Sequence, residues 1–518
     1  MQTTCMRFPY LSVLVPAVLL IVLGGAGGAL GAVCELGVFN AGANECQITG
    51  PLIAAGTFAF DQTLHILAGG SITVPALPDP DGGGPLKPPP NTLTLNITGG
   101  GGFIMDIGAA IVGDVSTSNG TGATININAH GDIFLDGNGS SGARITSNQT
   151  AGSCNGGAGG NIFLTADTDG NLIGDITTQP GSVILSSSKC PAGTIKLKGV
   201  DVSVDGLVQS KSGQQGTGAT QPPGGGPIFI DAACDLTITP AGVVSSSGSD
   251  AGADLVHLAG GCVVQIFGLV ESTGKGQTAP NTPVNHCRDP FRPGKPLNST
   301  ACVEIWAGTS LLIQSDATHN GEVSADLGAG TAGVSWIDLF ANGPITITET
   351  QLPYAVHANN GQTNALGGTI TVGSKASTVD LAGFALQANA LAGGGAGGSI
   401  TVEAFGALSF GTSSVQARGA NSGGGHQQGG TISGRSFNSH VTGSNPGELN
   451  ADGGKGQPTF KLGTVQLKGC ANGGPGVSYS GNVTPALTIL ADACGGSPTF
   501  PAFVVIPICQ CPLLECPR

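Results

Sequence analysis

The chain has 518 residues, 90 of them Gly and 32 Pro, with charged residues at 10 % and a formal net charge of −14. This balance excludes a nucleic-acid partner, because phosphate recognition needs clustered Lys and Arg and only 18 basic residues are scattered here. Apolar residues nonetheless recur throughout and mean hydropathy is positive, which excludes a disordered Gly/Pro-rich chain and makes the glycines punctuation between short strands.

Residues 1–32 read as an export signal. Arg7 supplies the positive charge, Leu11 to Leu23 (LSVLVPAVLLIVL) is an apolar core of 13 residues, and Ala29-Leu30-Gly31 is a small-residue cleavage site. The core falls short of the ~20 residues a membrane span needs. A secreted or cell-surface protein with no membrane span after cleavage is therefore expected. Thirteen of the 14 Cys follow the signal, a density that suits an oxidising compartment.

Residues 33–60 are expected to form an N-terminal cap, with Cys34 and Cys46 able to pin it. From 61 to 495 one phrase recurs, a small residue or two followed by a short β-run: GGNIFLTA at 159, AGTIKLKG at 192, GGTITV at 367, GGSITV at 397 and GGTIS at 429. Most spacings fall between 26 and 35 residues. A trailing phrase follows each, as in Val208-Gln209-Ser210 and Leu386-Gln387-Ala388, and a middle run such as Leu236-Thr237-Ile238 lies between the two. Each period thus holds three short strands that alternate apolar and other residues. A period of this length marks a solenoid. The aromatic content of 4 % and the three strands per period argue against a propeller blade. The fold class is all-β, a single-domain parallel β-helix of about 10–12 coils, with right-handed winding the favoured hand.

Two proline-rich stretches, 74–91 and 277–302, read as loop excursions, since proline cannot feed a central ladder. Residues 496–518 form a Cys/Pro-rich tail. Cys234 and Cys262 lie one period apart in the same register, where ladder spacing brings two residues within disulfide range. Cys154 and Cys190 each precede an opening phrase, Cys287 and Cys302 would close the base of the second loop, and Cys470 and Cys494 the last coil. Cys509, Cys511 and Cys516 remain, and an odd number leaves at least one thiol free or open to an intermolecular bridge.

The acidic residues offer the only hint of chemistry. Asp167, Asp169, Asp201, Asp205, Asp231 and Asp235 follow three successive opening strands and could form a carboxylate ledge. Such a ledge suits an acid/base pair for glycoside cleavage. Asp167, Asp169 and Asp175, in DTDGNLIGD, offer oxygen ligands for a structural Ca²⁺. Asp is also an ordinary corner residue, and the offsets from Ile162, Ile195 and Ile228 disagree, so all three readings stand. No other cofactor is called for.

The stretches GGNIFLTADTDGNLIGDITTQPG (159–181) and GGSITVEAFGALSFGTSSVQARG (397–419) resemble the repeats of filamentous-haemagglutinin-like and polymorphic bacterial surface proteins. That resemblance covers most of the chain after residue 32. It implies a right-handed β-helix and a non-enzymatic role in adhesion or envelope structure, with glycans or other surface molecules as partners. The coil here is longer than that family's common repeat. Polysaccharide lyases and glycoside hydrolases use a similar pectin-lyase-like scaffold, which keeps an enzyme as the alternative.

Overall fold

The computed structural model describes residues 34–76, 91–117, 119–151, 157–213, 224–248, 253–274, 299–328, 334–350, 354–361, 363, 365–420, 428–453, 462–470, 476–492 and 494–498. All belong to one compact unit, Val33–Arg518. The signal segment 1–32, Cys154, Cys287, most of both loop excursions and the three tail cysteines lie outside the described residues.

The described chain is a parallel β-solenoid. Each opening phrase adds one strand to a 14-stranded parallel sheet. The middle and trailing runs build two further parallel sheets, which the strand Val379–Gln387 joins by running round the corner from one into the other. Register is kept from coil to coil. Ile162 pairs with Ile195, Ile195 with Ile228, and Ile370 with Ile400. The period-2 alternation then sends every second side chain inward, so the core is a set of aligned Ile, Leu and Val columns, nearly all inaccessible to solvent.

Among the described residues fourteen coils stack, where ten to twelve were expected. The first three opening strands are Gly56–Phe60, Thr92–Ile97 and Thr124–Ala129, which follow Ala55, Asn91 and Ala123 rather than a glycine pair. The solenoid begins earlier than residue 61. Glu45–Ile48, Pro51–Ile53 and Gly56–Phe60 already make a full coil, and the cap is confined to residues before Glu45. The second excursion ends sooner than 302, because Ser299–Ala307 is a strand whose bulge near Ala301 re-enters the register.

The paired glycines have a steric cause. A side chain on Gly398 would run into the carbonyl oxygen of Gly368, and one on Gly430 into that of Gly398. Successive backbones approach too closely there for any Cβ.

The Ser of the trailing phrase has an equally specific role. Ser186, Ser210, Ser246 and Ser272 stack in register and are fully buried. Ser210 donates to the Gly193 carbonyl at 2.8 Å and accepts the Gly226 N–H at 2.9 Å. Ser186 does the same between Gly160 and Gly193. Each hydroxyl thus ties two successive opening strands to one trailing strand. Ser210→Ala should cost about 1–3 kcal/mol, because it strands a buried amide and a buried carbonyl. Faster hydrogen exchange at the Gly226 amide is the local readout, and unchanged exchange there would refute the tie.

Cystine positions follow the coil geometry in part. Cys34 is bridged to Cys46 and Cys470 to Cys494. Cys190 and Cys302 are each disulfide-bonded, and their expected partners lie outside the described residues. Cys234 and Cys262 stack one coil apart, the Cys262 N–H donating to the Cys234 carbonyl at 2.8 Å. Both side chains are half-buried.

Candidate functional site

The expected carboxylate ledge is divided among four places. Asp175, Asp201 and Asp235 stand in one corner column with Asp132. Asp132 accepts the Asp175 N–H at 2.9 Å, Asp175 the Asp201 N–H at 3.0 Å, Asp201 the Asp235 N–H at 2.9 Å, and Asp235 the Val263 N–H at 3.0 Å. Each carboxylate therefore caps the entry to the middle strand of the next coil. Asp205 lies at the following corner and accepts the Thr239 hydroxyl. Asp167 and Asp169 hold the loop between them and Asp175. Asp167 accepts the Leu172 N–H at 3.0 Å and Asp169 the Asn171 side-chain amide at 2.8 Å. Leu172 itself sits at φ 64°, a left-handed conformation that leaves its side chain half exposed.

Stacked like charges carry a cost. Burial, with the charges of Asp201 and Asp132, raises the Asp175 pKa above the ordinary carboxylate value, against the lowering effect of the Asp201 N–H. A folded-state pKa above the unfolded one means that folding is favoured in acid and penalised as pH rises through it. Asp201→Asn keeps an oxygen acceptor for the Asp235 amide and removes one charge. It should make the protein more stable at pH 7 and flatten its stability between pH 3 and 6, whereas Asp201→Ala should destabilise at every pH. Urea midpoints of the three proteins across that range test this; a destabilised Asp201→Asn variant at pH 7 would count against it.

Asp231 stands apart, on the outward face of the opening sheet, and marks a cluster of mixed chemistry there. Lys196, Phe229, His257, Glu304 and Asp338 occupy one outward column on five successive strands. Lys196 Nζ lies 3.3 Å from Asp231. His257 lies between two carboxylates, Nδ1 3.1 Å from Glu304 and Nε2 3.8 Å from Asp231. Trp306, Trp336 and Phe340 project from the last two strands, the Trp306 and Phe340 rings meeting edge-on at 5.4 Å.

Outward positions elsewhere on this sheet, such as Thr371 and Thr401, are half-buried. Here Glu304 and Asp338 are each 1 % exposed and Trp336 2 %. The column is a second, polar-aromatic core on the outside of the solenoid, distinct from the apolar interior. Two adjacent carboxyls with an imidazole beside them are chemically competent for proton transfer. Their burial means that a substrate would have to displace whatever shields them.

Of the residues expected from sequence, only Asp231 belongs to this cluster. The others in it are not adjacent in sequence, because neighbours on this face are one coil apart. Aligning the opening strands as IKL, IFI, VHL, VEI and IDL (Ile195, Ile228, Val256, Val303 and Ile337) exposes the column in the middle letter.

Two further imidazoles repeat the motif elsewhere. His65 lies 3.0 Å from Glu45 and 2.8 Å from Asp106, and His357 2.9 Å from Glu322 and 3.0 Å from Asp326. Among the described residues no group of three or more His, Cys, Asp or Glu is arranged to hold a metal ion. Asp167 and Asp175 direct their oxygens to backbone amides instead. Among those residues, too, no helix is long and apolar enough to cross a membrane. In comparisons with known proteins, no family model, no curated protein and no solved structure matches this chain.

Proposed function

We propose that the protein is an exported, non-enzymatic component of a cell surface or matrix, acting by adhesion or as an envelope structure. One observation carries this reading. The corner and outward polar groups bond chiefly to their counterparts one coil away, so repetition serves stacking. Asn126 donates to Thr94 at 3.0 Å and Asn128 to Asn96 at 2.9 Å. Asn359 accepts from the Asn389 amide at 3.0 Å, and Asn389 from Arg418 at 2.6 Å. Asn359 and Asn389 are buried, whereas the half-buried Asn126 and Asn128 rows leave a weakly charged, hydroxyl- and amide-bearing face, which suits neutral glycans better than charged polymers. The resemblance to filamentous-haemagglutinin-like repeats points the same way.

A polysaccharide lyase or glycoside hydrolase is the second reading. His257, Glu304 and Asp338 favour it, in place of the Asp167–Asp235 region. A glycan array together with a polysaccharide-degradation screen, with and without Ca²⁺, separates the two. Binding without release of oligosaccharides is the expected result. Release that Glu304→Gln abolishes would establish the enzyme instead.

A further inference from the structure

The outward face of the opening sheet changes character along the solenoid. Farther on, Thr371, Thr401 and Ser433 follow one another in one column. Earlier in that column stand Asn126, Phe163, Lys196 and Phe229, on four successive strands. Thr165, Lys198 and Asp231 lie beside the last three. Phe163 and Phe229 are half-buried on this outward face. Phe229 packs in part on Leu255, Cys302 and Trp336, but Phe163 is not among the side chains packed on either apolar cluster. Stacking of the coils therefore does not account for an aromatic ring at 163.

Between the two rings the chemistry turns polar. Lys196 Nζ and the Asp231 carboxylate, 3.3 Å apart, set a donor next to an acceptor, with the two side chains 44 % and 24 % exposed. That pair is the complement of a vicinal diol. The ammonium donates to one hydroxyl oxygen and the carboxylate accepts the other hydroxyl's hydrogen. Lys198, exposed beside them, can donate to a further hydroxyl. The two charges of the Lys196–Asp231 pair balance, so an uncharged, hydroxyl-rich molecule suits it better than an ion. The spacing is equally specific. Neighbouring strands are ~4.8 Å apart, close to the length of one pyranose unit, and the two rings are therefore separated by ~10 Å. The C–H face of a pyranose is apolar and weakly positive, and it stacks on the negative face of an aromatic ring.

We infer that Phe163, Lys196, Phe229 and Asp231 form a binding site for an uncharged glycan of at least three pyranose units, laid along the solenoid axis. The first unit stacks on Phe163, the third on Phe229, and the middle one hydrogen-bonds to Lys196 and Asp231. This inference rests on the adhesive reading above and assigns that reading a place and a minimum ligand length.

Titration calorimetry of the full chain with cello-, xylo-, manno- and chito-oligosaccharides of two to six units tests it. Trimers and longer chains of the bound series are expected to bind about tenfold tighter than its dimer. Phe163→Leu and Phe229→Leu, which keep apolar bulk but lose the ring, should each abolish that gain. Phe163→Trp should retain it, and Thr371→Ala, farther along the same column, should leave affinity unchanged. Affinity that is independent of chain length, or indifferent to both Leu variants, would overturn the site while the adhesive reading stands. Absence of binding by every oligosaccharide would overturn the site and count against that reading as well.

Discussion

Ile230→Ala is expected to open a cavity that destabilises the solenoid locally by about 2–5 kcal/mol. Ile230 is fully buried and stacked between Leu197 and Leu258 in one core column. Its neighbours cannot close the gap, because their backbones are locked into three ladders at once and the interior has no second layer to collapse inward. Long repeat arrays lose all-or-none cooperativity, so a single unfolding midpoint understates the damage. Hydrogen exchange is the proper measurement. Amides of Ile195–Gly199, Ile228–Ala232 and Leu255–Gly260 should lose protection together, while Thr369–Ser374 and Ser399–Ala404 keep theirs. Uniform loss along the whole chain would show that the coils unfold as one unit and that the nearest-neighbour picture is wrong.

The second large effect is a pH dependence centred on His357. Burial alone would lower the pKa of this imidazole. Hydrogen bonds to Asp326 and Glu322, with their charges, outweigh burial and push it up from 6.5 to about 10. The groups facing it are Glu322 and Asp326 with the Ser324 hydroxyl at 3.4 Å. The folded chain thus holds a proton that the unfolded chain releases. The stabilisation is complete below pH 6.5, falls as pH rises, and is gone above about pH 10. Its size is on the order of 3–5 kcal/mol. His65 adds to the same trend, its pKa raised as Asp106 and Glu45 overcome the opposing effect of burial. Urea midpoints at pH 6 and pH 10 should differ strongly for the unsubstituted protein and much less for His357→Gln. Equal slopes in the two proteins would mean that the imidazole is neutral in the fold.

Both predictions concern stacking, and stacking is what the sequence made readable. Each coil meets only its neighbours, so the same local problem is solved again at every coil. The alternation in Ile228-Phe229-Ile230 and in Ile400-Thr401-Val402, and the recurrence of Gly-Gly before such runs, are that solution written in residues. Strand number per coil and parallel pairing were therefore legible. The outward cluster was only half legible. Asp231 was noticed, while His257, Glu304 and Asp338 read as isolated letters, since a residue's neighbours in a solenoid are a coil away.

By itself, then, the sequence determined the all-β class, the parallel solenoid, the inward and outward faces and the glycine-lined corners, because all of these depend on period and on steric demands within one coil. Only the tertiary structure decided the number of coils, the partition of Asp residues between corner ladders and the outward face of the opening sheet, and the imidazole–carboxylate pairs. Those depend on register and side-chain direction between coils, which the loop lengths separating repeats conceal and three-dimensional stacking alone resolves.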